Sequence, residues 1–110
     1  MEPRASDGFS DGPVLAIDFG TLQDTARAAV LQGTNIVVAG DISGSNPNFA
    51  VARVSATGTL DTSFGTSGKL VVDVLQSSTD QLAGLSIDSL GRYVLAGTTG
   101  SDFSTVRIGQ

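Results

Sequence analysis

The sequence predicts an all-β protein made of two four-stranded antiparallel sheets, one for each of two internal repeats. Three observations carry this expectation. The first is ordered self-similarity. Asn35-Ile-Val-Val-Ala-Gly40 returns as Arg92-Tyr-Val-Leu-Ala-Gly97 at an offset of 57, and Asn48-Phe-Ala-Val-Ala-Arg-Val54 returns as Asp102-Phe-Ser-Thr-Val-Arg-Ile108 at an offset of 54. Asp24 matches Asp80, Asp18 matches Asp73, and residues 7–12 are a degraded echo of residues 62–68. Order is kept through all five blocks, which chance similarity does not do. The second observation is the acid count: ten of the eleven acids are Asp. Asp bonds nearby backbone amides and so favours turns and caps over helix interiors. The third is that the apolar residues gather in short segments of four to six residues rich in Val, Ile and Phe, which is strand-like.

The repeats define the organisation: a tail over residues 1–6, a first unit over 7–60 and a second over 61–110. The expected strands of the first unit are residues 14–17, 26–31, 36–39 and 49–54. Those of the second are 70–74, 82–87, 93–96 and 103–108. Turn residues separate them: Gln32-Gly-Thr-Asn35, Ser43-Gly-Ser-Asn-Pro47, Asp88-Ser-Leu-Gly91 and Thr98-Thr-Gly-Ser101. Residues 23–32 alone have good helix formers and an Asp in capping position. Their repeat mate, residues 80–87, carries Gly84 mid-segment and reads poorly as helix. Two copies of one repeat share one conformation, so both are read as strands, with an α+β arrangement as the alternative. The small pair Ala28 and Gly84 suggests close packing between sheets.

Four antiparallel strands in a period of ~55 residues suggest β-propeller blades. Phe49 and Val51 lie on one strand face and Ala50, Ala52 and Val54 on the other, so both faces are apolar. A blade is sandwiched between neighbours and needs that, whereas a half-exposed meander alternates apolar with polar.

Residues 49–69, Phe49-Ala-Val-Ala-Arg-Val-Ser-Ala-Thr-Gly-Thr-Leu-Asp-Thr-Ser-Phe-Gly-Thr-Ser-Gly-Lys69, closely resemble the delta-60 repeat family of bacterial β-propellers. The positions that carry the pattern are Phe49, Arg53, Gly58, Leu60, Asp61, Phe64, Gly65 and Gly68, echoed by Phe103 and Arg107. The likeness covers nearly all of residues 7–110. It departs at residues 9–13, where Phe9-Ser-Asp-Gly-Pro13 stands in place of Phe64-Gly-Thr-Ser-Gly-Lys69. The resemblance implies two blades cut out of, or built like, a larger propeller. It implies no catalytic residues, and a bacterial secreted or cell-surface setting.

Several chemistries are excluded by composition. There is no Cys, His or Trp, hence no thiol nucleophile, disulfide, imidazole ligand or Ser-His-Asp triad. The net charge is −5 with a single Lys, Lys69, which argues against nucleic acid as partner. The longest apolar runs are four residues, far below the ~18 of a membrane span. Residues 1–7 have no apolar core, so no secretory signal is expected, and the chain is read as cytoplasmic or as a mature or excised segment.

The remaining candidates each have a structural reading. Arg53 and Arg107 fit an anion ligand, or a recurring ion pair to a turn acid such as Asp61. Asp18, Asp24, Asp73 and Asp80 fit paired-carboxylate chemistry, or turn capping. Asp41-Ile-Ser-Gly-Ser-Asn46 offers oxygen ligands, yet lacks the spacing and terminal Glu of a calcium loop. Phe9, Phe19, Phe49, Phe64 and Phe103 are read as core, and Tyr93, repeat mate of Ile36, as inter-blade packing. Gly58 is placed in a hairpin turn at positive φ. The expected function is a non-enzymatic repeat scaffold without metal or cofactor, partnered by itself in a homo-oligomer or by flanking repeats. The alternative is a lectin-like or calcium-dependent propeller that binds ligand through loops at one end.

Overall fold

The computed structural model describes residues 15–20, 23–43, 47–73 and 79–109. They form seven strands: β1 (Asp24–Gln32), β2 (Asn35–Ile42), β3 (Asn48–Val54), β4 (Lys69–Val72), β5 (Asp80–Ile87), β6 (Tyr93–Thr99) and β7 (Asp102–Ile108). All pairings are antiparallel, in two sheets ordered β1-β2-β3-β4 and β5-β6-β7. The helical alternative for residues 23–32 fails. All of that segment but Gln23 is β1, paired with β2 from Asp24↔Ile42 to Gln32↔Asn35 with one register slip between Ala26 and Ala28. Pairing across the sheet overrides the local helix propensity.

The sheets are out of phase with the sequence repeats. The first apolar segment of the second repeat is β4, and it pairs with β3 of the first through Phe49↔Val72 and Val51↔Leu70. Sheet 1 therefore joins three strands of one repeat to one strand of the next. Sheet 2 repeats β1–β3 as β5–β7, and among the described residues it has three strands rather than the expected four. Residues 15–17, expected as strand in the segment 14–17, are irregular, as are residues 18–19; Val14, which opens that expected strand, and Val74, which closes the one expected over 70–74, lie outside the described residues.

Strand alternation gives each sheet two faces. The leading face of sheet 1 carries Val37, Ala39, Phe49, Val51, Leu70 and Val72. It packs on the trailing face of sheet 2, which carries Leu82, Leu85, Ile87, Tyr93, Leu95 and Val106, and the two make one core. The corresponding leading face of sheet 2, with Val94, Ala96, Phe103, Thr105 and Arg107, looks away from sheet 1. The trailing face of sheet 1 is lined by residues 15–19, with Leu15, Ile17 and Phe19 beside Val38, Ala50 and Ala52.

Both sheets share a device at the first strand pair. The register slips between Ala26 and Ala28, and again between Leu82 and Gly84. Opposite each bulge sits a glycine. A Cβ on Gly40 would lie 1.9 Å from the Thr25 carbonyl oxygen, and one on Gly97 2.2 Å from that of Gln81. The Ala-Gly that closes each repeated strand is thus required by close backbone approach. Gly84 has no such role, since a Cβ there meets nothing within 4 Å; the close packing expected of it is absent.

Candidate functional site

The densest polar cluster among the described residues lies between the two sheets and is centred on Arg53. β3 places Arg53 on the leading face, at its buried end. After β3 the chain turns at residues 55–58, where the Gly58 amide donates to the Ser55 carbonyl at 3.0 Å and Gly58 takes φ 84°. This is the positive φ expected of the turn. The Asp61 amide then donates to the Arg53 carbonyl at 2.8 Å, which brings the loop back over the guanidinium. Gly65 and Gly68 hold the loop closed, at φ 55° and 89°. A Cβ on Gly68 would lie 2.9 Å from that of Leu60, so the glycine lets the loop pass close to Leu60.

Arg53 is 7% exposed. Its Nε donates to Asp61 Oδ2 at 2.8 Å, its Nη1 to the Tyr93 hydroxyl at 3.0 Å and its Nη2 to Ser63 Oγ at 3.1 Å. The guanidinium lies 5.0 Å from the Phe64 ring centroid, and Phe64 meets Tyr93 edge-to-face at 5.7 Å. Tyr93 in turn donates to Gln32 Oε1 on β1. A buried charge requires this degree of pairing. Burial opposes the Arg53 charge, but the bonds and field of Tyr93 and Asp61 outweigh it and raise its pKa. The Asp61 carboxyl is held below its ordinary value, first by the Ser63 hydroxyl and amide and then by Arg53. All three guanidinium nitrogens of Arg53 thus face groups of the chain itself. The cluster clamps sheet 1 to sheet 2, and the ion pair to Asp61 is the one the sequence suggested.

Arg107, the repeat mate of Arg53, sits differently. Its side chain is 57% exposed and its Nε lies 3.1 Å from Asp88 Oδ2 in the β5–β6 turn. Asp88 also accepts from the Leu90 and Arg92 amides and from Arg92 Nε. These contacts, the Arg92 amide first, lower its pKa. Phe103 is 96% exposed although its mate Phe49 is fully buried. The expectation of a core role for Phe103 is corrected: the sheet that would cover it is not among the described residues. Phe64 and Phe49 are core, Phe19 is half-buried and Phe9 lies outside the described residues.

Asp18, Asp24 and Asp41 serve as caps and ties. Asp18 accepts from the Gly20 amide at 2.7 Å and Asp24 from the Phe19 amide at 3.1 Å, which is turn capping. Asp41 accepts from the Leu82 amide at 2.5 Å and from Arg27 Nε at 3.1 Å, a second tie between the sheets. Its calcium-loop companions at 44–46 lie outside the described residues. A groove of about 370 Å³ opens beside it, lined by Arg27, Asp41, Pro47, Thr79, Asp80 and Gln81 among others. Sequence reasoning missed Gln32 and the Asp41–Leu82 tie. Neither has a local signal, because each partner comes from the other sheet.

Residues 35–64 match the family model of a β-propeller domain of unknown function, DUF5122. The two sheets are propeller blades. The match spans β2, β3 and the Arg53 loop as far as Phe64, all of it within blade 1. No curated protein and no solved structure matches the chain.

Proposed function

We propose that the chain is a non-enzymatic propeller scaffold of the delta-60 type, whose work is to pack blade on blade, with copies of itself or with flanking repeats. One observation carries the reading: Phe49 is fully buried against blade 2 while Phe103, at the same place on blade 2, is 96% exposed. A blade face with Val94, Ala96 and Phe103 on it is built to be covered. The polar groups of the Arg53 cluster are spent on each other, which favours a structural role for them. Sedimentation velocity tests the reading. The chain is expected to sediment as a multiple of 11.1 kDa, and Phe103→Ser to fall to the single-chain mass with an unchanged circular dichroism spectrum. A wild-type chain that stays single and folded overturns it.

The groove beside Asp41 and Asp80 supports the second reading, a ligand held by loops at one end of the blades. A glycan array and melting curves with calcium or chelator separate the two. Under the scaffold reading no glycan is retained and the melting temperature stays within a degree. A shift of several degrees favours the second.

A further inference from the structure

Among the described residues one strand-like segment pairs in neither sheet and β7 lacks the partner that its repeat mate β3 has in β4, and the repeat relates the two. Residues 9–18 align with residues 64–73 without a gap, so that Phe9, Leu15, Ile17 and Asp18 fall on Phe64, Leu70, Val72 and Asp73. In blade 1, Leu70 and Val72 belong to β4, which pairs with β3. The repeat mate of β3 is β7, and no described strand lies beyond it. The residues that resemble β4 are therefore 15–17, but in their own chain they lie on the trailing face of blade 1. Blade 2 packs on the opposite face. Blade 1 thus stands between this segment and the β7 of its own chain.

That position is nevertheless informative. Leu70 and Val72 complete blade 1 while resting on the core shared with blade 2. Leu15 and Ile17 rest in the same way on the trailing face of blade 1. Next to them is an apolar cavity of about 250 Å³, lined by Ala26, Val38, Ala50 and Ala52 among others. Ala26 and Val38 are the repeat mates of Leu82 and Leu95, which share a cluster with Phe49. The cavity is thus the place where a Phe49-like ring would be received, and the exposed ring with that repeat position is Phe103.

We propose that residues 15–17 form the fourth strand of blade 2 in a second copy of this chain, paired antiparallel with that copy's β7, and that the copy's Phe103 fills the cavity beside them. The inference rests on the scaffold reading and names its joint. Transferring the β3–β4 register sets Ile17 opposite Phe103, Ala16 opposite Ser104 and Leu15 opposite Thr105. Each chain gives a strand to one neighbour and receives one from the other, a head-to-tail contact that closes into a ring.

The chain has no cysteine, so engineered pairs report cleanly. Chains carrying Ala16→Cys and Ser104→Cys singly, with different tags, are co-expressed and oxidised. Directly opposed strand residues fall within disulfide reach, whereas diagonal ones at ~7–8 Å do not. The expected result is a disulfide-linked pair containing both tags. The Leu15→Cys and Thr105→Cys pair should give the same, and Ala16→Cys with Asp102→Cys, two residues out of register, should not. A wild-type chain that sediments as an assembly while neither in-register pair cross-links overturns the strand exchange and leaves the scaffold reading standing. A doubly substituted chain, Ala16→Cys with Ser104→Cys, that closes its disulfide within one chain also overturns it. A single-chain wild type overturns both.

Discussion

Replacing Tyr93 by Phe removes one oxygen from the joint between the blades. The ring is fully buried and its edge-to-face contact with Phe64 is retained, so no cavity of consequence forms. The loss is the hydroxyl that accepts from Arg53 Nη1 and donates to Gln32 Oε1. A hydrogen bond to a charged group contributes about 1.5–3 kcal/mol, and a donor left buried loses its hydration as well. Gln32 is half-buried and can turn to water, so its share is small. The expected cost is about 2 kcal/mol, or roughly 8 °C in melting temperature for a domain of this size. Urea unfolding at one fixed protein concentration measures it, with an unchanged m-value. Arg53→Met with Tyr93→Phe closes a double-mutant cycle, and the pair should couple by about 1–2 kcal/mol. A Tyr93→Phe cost below about 0.5 kcal/mol, or additivity in the cycle, refutes the claim that the two blades are clamped through this hydroxyl.

Other expectations follow from the same geometry. Gly40→Ala and Gly97→Ala should each cost about 2–4 kcal/mol in chemical denaturation, because the new Cβ meets strand backbone, whereas Gly84→Ala should be near neutral. Gly58→Val should cost about 1–2 kcal/mol or more at φ 84°, and a neutral result would show that the turn is made otherwise. Asp61 and Asp88 have folded pKa values below the ordinary carboxylate range. Their stabilisation is therefore present above the unfolded pKa of about 3.9 and is lost as pH falls through the folded values. Melting temperature should drop from about pH 5 toward pH 2, and the drop should be shallower in Asp61→Asn.

Much of the fold is legible in the chain because a repeat states each structural requirement twice. The strands from Ile36, Phe49, Leu82, Tyr93 and Phe103 are visible as apolar runs between turn residues, and the Gly58 turn and the Arg53–Asp61 pair are visible as motif. What stayed hidden is whatever depends on a second sheet. The repeat begins at Asp61 in sequence, yet the sheet closes with Val72, since β4 pairs backward with β3 and nothing in its residues says so. Phe103 has the same residue type as Phe49 and the same place in the repeat, but burial belongs to the neighbour and not to the residue. Gly40 and Gly97 recur visibly, while their reason, the bulge on the paired strand, is a matter of three-dimensional approach. At the site, the sequence marks Tyr93 as inter-blade packing, but the partners of its hydroxyl, Arg53 and Gln32, lie 40 and 61 residues away.

Under the scaffold reading the blades use the same face twice, once within the chain and once between neighbours. Negative-stain electron microscopy of the purified chain tests this most directly. Two blades per chain with head-to-tail closure predict ring-shaped particles of three or four chains, with six or eight radial sheets around a central channel. Compact particles the size of one chain, showing two stacked sheets and no channel, would contradict it.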